Sequence, residues 1–170
     1  MKSRTVLSTL ITTMVIALGL LAPTSATAAG PESQTMAERI AQVIADHGGT
    51  QTGWNQVSWD DGDTVLTLSP TGNGNSSTAL IAGFTTLAAD TCAAGKYCVY
   101  SQINYGGNEL AFTACPATQT SFGVIGSVRS VKNARTSSTV RAYAGTTVKA
   151  TLSPGVGSAN VTGVTKVTCG

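Results

Sequence analysis

The chain carries four cysteines, and all of them lie in its last part: Cys92, Cys98, Cys115 and Cys169. A domain of about 80 residues buries little apolar surface, so a core of that size needs cross-links. Structural zinc sites pair cysteines as C-x₂₋₄-C, whereas five residues separate Cys92 from Cys98. The spacing therefore favours two disulfides. Of the three pairings that four cysteines allow, we favour Cys92 with Cys98, which is local, and Cys115 with Cys169, which ties an early strand to the C-terminus.

The N-terminus has the features of a secretory signal peptide. Lys2 and Arg4 precede an apolar run over 6–22, and small residues follow at 26–28. A membrane anchor needs roughly 20 unbroken apolar residues, and serine and threonine interrupt this run. We therefore predict a signal peptide over 1–29 and a secreted, extracellular protein that has no membrane contact after cleavage, in a compartment where disulfides persist.

The segment 30–69 is predicted to begin with a short helix. Thr35 and Glu38 have the spacing of a capping box. Four apolar residues then recur at helical spacing, namely Met36, Ile40, Val43 and Ile44. The helix is expected to end at Gly48. His47 would lie in its last turn, where an imidazole close to free carbonyls is common.

A β-hairpin and a linker are predicted after this helix. The runs 57–59 and 64–68 flank Asp60-Asp61-Gly62-Asp63, a pattern typical of two strands joined by an Asp-Gly turn. Calcium is the alternative for three aspartates, but the twelve-residue loop with its closing glutamate is absent. Glycine, asparagine, serine and threonine dominate 71–78, which is typical of a flexible linker. The weakly apolar stretch 79–87 could be a strand or a collapsed tail, and we assign 70–91 as a whole to the linker.

The region 92–170 is predicted to be an all-β domain, because short runs rich in valine, threonine and tyrosine alternate there with glycine, asparagine and serine. It contains a degenerate repeat. Tyr100 aligns with Tyr143, and 125–131 aligns with 161–167. Two similar units of about 40 residues imply a pseudo-symmetric sandwich, because neither unit could bury its apolar face alone.

Charge is distributed unevenly along the chain. Between 30 and 90 there are seven acids and one base, Arg39; after 90 there are seven bases and one acid, Glu109. We interpret this as a basic module that meets an acidic partner, with the acidic segment lying over it. Solubility alone is the alternative.

The composition of 92–170 argues against an enzyme. It has no histidine and no aspartate, and Glu109 is its one carboxylate. Catalytic triads, carboxylate pairs and zinc chemistry all need more proton carriers or ligands than that. His47 with Asp46 or Asp60 is the remaining possibility, and no nucleophile motif accompanies it. We predict no catalytic residue, no metal and no cofactor.

The domain contains a stretch with an aromatic residue, then asparagine followed by a second aromatic residue, and then a glycine seven places after the first aromatic: Tyr100-Ser101-Gln102-Ile103-Asn104-Tyr105-Gly106-Gly107. This stretch resembles the first hairpin of a βγ-crystallin Greek key. Ser127-Val128-Arg129-Ser130-Val131-Lys132 resembles the stretch that leads into the fourth strand of that motif. The resemblance implies a βγ-crystallin-like double Greek-key sandwich, preceded by the short helix and the hairpin. Its motif residues would be Tyr100, Tyr105, Gly107, Ser130 and Tyr143. The second unit departs from the pattern, since Ala150 stands seven places after Tyr143, and its hairpin is expected to be shorter or altered.

The stretch 92–100, joined to that hairpin, is similar to the opening of secreted actinobacterial proteins classed with the metalloproteinase inhibitors of peptidase inhibitor family 36. This resemblance implies a secreted peptidase inhibitor that binds an extracellular metalloproteinase tightly and without catalysis. Inhibitory members carry a cysteine-clamped reactive loop in the second half, and no cysteine lies between Tyr143 and Thr168. The inhibitory loop is therefore unknown from the sequence; the loops 134–138 and 144–148 are the expected contact surfaces.

The alternative function is a secreted module that binds an anionic cell-wall or cell-surface polymer, with an antimicrobial action as one form of it. Its motivation is the basic second part of the chain. Salt-sensitive retention on cell envelopes would favour this alternative, and stoichiometric inhibition that is indifferent to salt would favour the inhibitor. Nucleic acid is not expected as a partner, because export and the scarcity of stacking aromatic residues argue against it.

Calcium binding is not expected either. Calcium-binding βγ-crystallins use two Asn or Asp residues, two variable residues, and then Ser/Thr-Ser. The corresponding stretches here, 125–130 and 161–166, contain no acid, and Arg129 and Lys166 bring positive charge.

Overall fold

The structure is a computed structural model that describes residues 34–70 and 91–170. The predicted signal peptide over 1–29 and almost all of the predicted linker over 70–91 lie outside these ranges, so both assignments and the domain boundaries drawn from them stay predictions. Within the described ranges, no helix is long and apolar enough to cross a membrane.

The described residues form one α-helix, α1 (Met36–His47), two short 3₁₀ helices (Asp60–Gly62 and Gly123–Ile125) and eleven strands. The strands are β1 (Thr50–Gly53), β2 (Gln56–Trp59), β3 (Thr64–Thr67), β4 (Tyr97–Tyr100), β5 (Glu109–Phe112), β6 (Ala117–Gln119), β7 (Ser130–Asn133), β8 (Val140–Ala144), β9 (Thr147–Leu152), β10 (Gly157–Ser158) and β11 (Lys166–Cys169). They build two antiparallel sheets, one of seven strands in the order β1-β2-β3-β5-β4-β7-β10 and one of four in the order β6-β11-β8-β9. The predicted all-β sandwich, preceded by a helix and a hairpin, is confirmed.

One apolar core lies between the two sheets. Val99 and Val131 enter it from the seven-stranded sheet, and Val140 and Val167 enter it from the four-stranded sheet; all four side chains are fully buried. The alternation of strand side chains decides which residues point inward. In β8, for example, Val140 and Ala142 are buried while Arg141 between them is exposed.

The predicted helix and its capping box are confirmed. Thr35 caps α1 through its side chain, which accepts from the Glu38 backbone, and the Glu38 carboxylate accepts from the Thr35 backbone N–H at 2.7 Å. Ile40 is buried in the shared core, so the apolar face of α1 packs beside the sandwich. His47 lies in the last turn, as predicted, and its carbonyl accepts from Nε1 of Trp59 at 3.0 Å.

The predicted hairpin is also confirmed, but it belongs to a larger sheet. β2 and β3 pair antiparallel across the Asp60–Gly62 turn. β3 then pairs along its whole length with β5, with Leu66 opposite Leu110. The acidic segment therefore contacts the basic part as additional strands of its sheet. β1, which pairs with β2, was not expected from the sequence.

The predicted internal repeat is present in the structure. The Arg129 N–H donates to the Tyr100 carbonyl at 2.8 Å, and in the second unit the Thr165 N–H donates to the Tyr143 carbonyl at 2.8 Å. Val128 of the first unit pairs directly with Val164 of the second. Each unit also places one strand in the sheet of the other: β6 joins β11, and β10 joins β7. The two units thus share both sheets, which explains why neither could bury its apolar face alone.

Two disulfides link Cys92 to Cys98 and Cys115 to Cys169, which is the pairing favoured from the sequence. The first closes a short loop at the start of β4. The second joins Cys115, two residues before the start of β6, to the end of β11, and Cys169 lies in the central core.

Candidate functional site

The connection between β4 and β5, residues 101–108, is held by several internal hydrogen bonds, and we call it the β4–β5 loop. It closes on itself through four contacts. These are Ser101 N–H to Asn108 O at 2.9 Å, Gln102 N–H to Gly106 O at 3.0 Å, Gly106 N–H to Ile103 O at 3.2 Å, and Asn108 N–H to Ser101 Oγ at 2.8 Å. A loop with this many internal bonds has few alternative conformations to lose on binding.

Ser130 of β7 fixes this loop to the sheet. Its fully buried hydroxyl donates to the Gln102 carbonyl at 2.6 Å and accepts from the Tyr105 N–H at 3.0 Å. At the loop tip the Asn104 N–H donates to the carbonyl of Ala159 at 2.8 Å, which ties the loop to the second unit. The structure therefore brings together Ser130 and Tyr105, two of the motif residues that the crystallin resemblance implies.

Tyr100, Tyr105 and Gly107 complete the same arrangement. The rings of Tyr100 and Tyr105 meet edge to face with centroids 5.6 Å apart. Gly107 has φ +76°, and a Cβ there would lie 2.2 Å from the Ser101 hydroxyl oxygen, so only glycine is accommodated. The loop thus folds back over the outer face of β4, where it covers Tyr100, Cys98 and Ala111.

Ile103 is the apolar side chain that this loop presents to solvent. It is 43% exposed, although the backbone around it is held by the hydrogen bonds above. Sequence reasoning included Ile103 only as a member of the hairpin motif. The available signal was an isoleucine among the serine, glutamine, asparagine and glycine of a solvent-facing turn.

The second unit has no equivalent of the β4–β5 loop. A turn of two residues, Gly145 and Thr146, joins β8 to β9, which confirms the shorter hairpin expected from Ala150. Tyr143 is therefore not covered by a folded-back loop. Its ring instead contacts the Lys166 ammonium, which lies 4.3 Å from the ring centroid.

The two loops expected from the sequence as contact surfaces, 134–138 and 144–148, do not come together. One precedes β8 and the other spans its end. The five residues of β8 separate them by about 16 Å at the usual rise of a strand. The first loop is braced by Arg135, whose guanidinium donates to the carbonyls of Gly95 at 3.0 Å and Thr113 at 2.7 Å.

A cleft of about 610 Å³ lies between the end of α1, β2, β5 and the residues that follow β6. His47, Asp60 and Ser121 line it together with the aromatic rings of Trp59 and Phe122. In the described chain no hydrogen bond joins His47 to Asp60 or to Ser121. The cleft therefore contains histidine, aspartate and serine without the mutual contacts that an activated nucleophile needs.

Glu109, the one carboxylate of the region 92–170, is buried in β5 and hydrogen-bonded to the Thr91 hydroxyl. Within the described ranges, no three histidine, cysteine, aspartate or glutamate side chains lie close enough to hold a metal ion. The β4–β5 loop thus combines a backbone fixed by hydrogen bonds with an exposed isoleucine.

In a comparison with known protein families, residues 85–152 match the model for peptidase inhibitor family I36. The matched segment runs from before β4 to the end of β9 and so contains the whole β4–β5 loop. It supports this family and, with it, a non-enzymatic inhibitor. No curated protein and no solved structure matched the chain.

Proposed function

We propose that the protein is a secreted peptidase inhibitor that blocks a metalloproteinase by tight, non-catalytic binding, and that the β4–β5 loop is its inhibitory loop. The fold of this inhibitor is a βγ-crystallin-like double Greek key, in which each unit contributes one strand to the sheet of the other unit. The observation that carries the proposal is the exposed Ile103 on a loop fixed by Ser130, inside the segment that matches the inhibitor family.

Preorganisation supports this role for the loop. An inhibitor that enters a protease cleft loses less conformational entropy when its loop is already fixed, and rigid partners of this kind change shape little on binding. The Cys92–Cys98 disulfide contributes as well, because it constrains β4 directly before the loop. The loop is thus held at its base by β4 and β5 and at its middle by Ser130.

Ile103 supplies the apolar contact that such a complex needs. A few side chains buried at the centre of an interface carry most of the binding energy. Full burial of an isoleucine side chain stabilises a complex by about 1.5–3 kcal/mol. The loop carries no charged residue, so its binding is expected to depend little on salt.

The test is a titration of the purified mature protein into a panel of zinc and serine proteases. We expect stoichiometric inhibition of at least one zinc protease, unchanged between low and high salt. Ile103→Ala should raise the inhibition constant by about 3- to 10-fold, because binding can bury only the 43% of this side chain that is exposed in the free protein.

Val148→Ala is the matched control, because Val148 is 49% exposed but lies on β9, outside the β4–β5 loop and in the stretch 144–148 that the sequence suggested as a contact surface. It should inhibit like the parent protein, and both variants should keep the parent melting temperature. Inhibition of no protease in the panel, or an Ile103→Ala variant as potent as the parent, would refute the proposal.

A further inference from the structure

The outer face of the four-stranded sheet is a cationic surface, which we call the β8 face. Strand register places four residues, one from each strand, side by side across it, namely Thr118, Thr168, Arg141 and Thr151. A second row holds Lys166, Tyr143 and Val148. The residues between these rows, such as Ala142 and Val167, point into the core and are fully buried.

Positive charge on this face has no acidic counterpart in the sheet. Arg141 and Lys149 are exposed, and Lys149 lies where the register of β9 shifts against β8. The four strands β6, β8, β9 and β11 contain no aspartate and no glutamate. The third cation, Lys166, is held on the face by the ring of Tyr143, since cations are attracted to aromatic faces.

The corresponding face of the seven-stranded sheet is different. There the β4–β5 loop and Cys92 cover β4, so that Cys98, Tyr100 and Ala111 are buried. On the β8 face the two-residue turn after β8 leaves Arg141 open to solvent. The cationic surface thus exists because the second unit lacks the long hairpin.

We propose that the β8 face binds an extended anionic polysaccharide. Three cations without a carboxylate among them attract a polymer whose carboxylate or sulfate groups recur along its length. The threonine hydroxyls between the cations can donate to and accept from sugar hydroxyls.

Two other macromolecular partners suit this surface less well. Single-stranded nucleic acid needs aromatic rings on which bases stack, and Tyr143, the one aromatic residue of these four strands, has Lys166 over its ring. A protein partner needs a buried apolar centre, and Val148 is the one large apolar side chain of these strands that is strongly exposed.

The test uses the full mature protein and heparin as the anionic polysaccharide. Arg141→Thr combined with Lys149→Thr removes two charges from the β8 face and introduces the residue type that already surrounds them. Lys96→Thr combined with Arg129→Thr removes two charges outside the four-stranded sheet. The two double variants have the same net charge, and circular dichroism would show that both are folded.

We expect the parent protein to be retained on heparin at low salt and not on neutral dextran. The face variant should elute at lower salt, and the slope of log Kd against log salt concentration should decrease by about two, because each neutralised anionic group releases a counterion. The control variant should keep the parent slope. Equal shifts in the two variants, tighter binding to a single-stranded oligonucleotide than to heparin, or no retention of the parent would each overturn the proposal.

Discussion

The two disulfides should differ in how much they stabilise the fold, because they close loops of very different length. Cys115 and Cys169 are 54 residues apart, whereas Cys92 and Cys98 are 6 apart. A cross-link lowers the entropy of the unfolded chain by an amount that grows with the logarithm of the loop length. The same relation gives about 4 kcal/mol for the long loop and about 2 kcal/mol for the short one at 25 °C.

The experiment compares Cys115→Ala/Cys169→Ala with Cys92→Ala/Cys98→Ala by urea unfolding, followed by circular dichroism. Each double variant removes one deeply buried sulfur, at Cys169 or at Cys98, and one that is half-buried. The packing losses are therefore similar, and the difference between the variants reports mainly on the loops. We expect the variant without the 115–169 bridge to be less stable by about 2 kcal/mol.

Equal losses of free energy in the two variants, or a larger loss without the 92–98 bridge, would show that loop length does not decide how much each disulfide stabilises the fold. Loss of both bridges should cost about 6 kcal/mol, which is comparable to the whole stability of many small domains. Reduction of the parent should then abolish its cooperative unfolding transition, and mass spectrometry of the untreated protein should detect no free thiol.

Two further results are expected. Burial raises the pKa of the Tyr97 hydroxyl, and Gln119 and Arg135 oppose this effect weakly. The free energy of folding that this shift contributes is fully present below the pKa of an unfolded tyrosine, about 10, and is lost as pH rises through the folded pKa. Tyr97→Phe should therefore unfold like the parent at pH 7 and lose less stability between pH 9 and 11 in thermal melts, and an equal alkaline loss in both proteins would contradict this assignment. Calorimetric titration of the full chain with calcium should give no heat and no gain in melting temperature, because 125–130 and 161–166 lack carboxylates; micromolar binding there would refute the crystallin alignment of these stretches.

Local patterns predicted the local parts of the fold. Three of these patterns act within a few residues, namely the capping box at Thr35, the helical spacing of apolar residues and the Asp-Gly turn. They can therefore be recognised in the sequence. The internal repeat could also be recognised in the sequence, because buried valines such as Val128 and Val164 have similar neighbouring residues in the two units.

Long-range pairing was not predictable in the same way. The pairing of β3 with β5 joins residues 42 to 48 positions apart, from Thr67 with Glu109 to Thr64 with Phe112, and no short pattern in either strand specifies its neighbour. β1 has three exposed residues and no apolar alternation, so its edge position in the sheet has no sequence signal. The hydrogen bonds that fix the backbone around Ile103 also depend on the fold, because Ser130 and Ala159 lie far from the loop in the sequence.

The divergence of the two units explains why the two proposed surfaces are separate. In the first unit Gly107 permits a long hairpin that folds over β4, and this hairpin forms the proposed inhibitory loop. In the second unit Ala150 stands at the equivalent place and the turn after β8 is short. The ring of Tyr143 therefore contacts the Lys166 ammonium, and no folded-back loop covers the outer face of the sheet. The loop and the β8 face therefore belong to different sheets and share no side chain. Because substitutions without shared contacts usually act independently, Ile103→Ala should leave heparin binding intact, and Arg141→Thr/Lys149→Thr should leave protease inhibition intact. If either variant impaired both protease inhibition and heparin binding, one surface would carry both activities, and the assignment of one activity to each unit would be wrong.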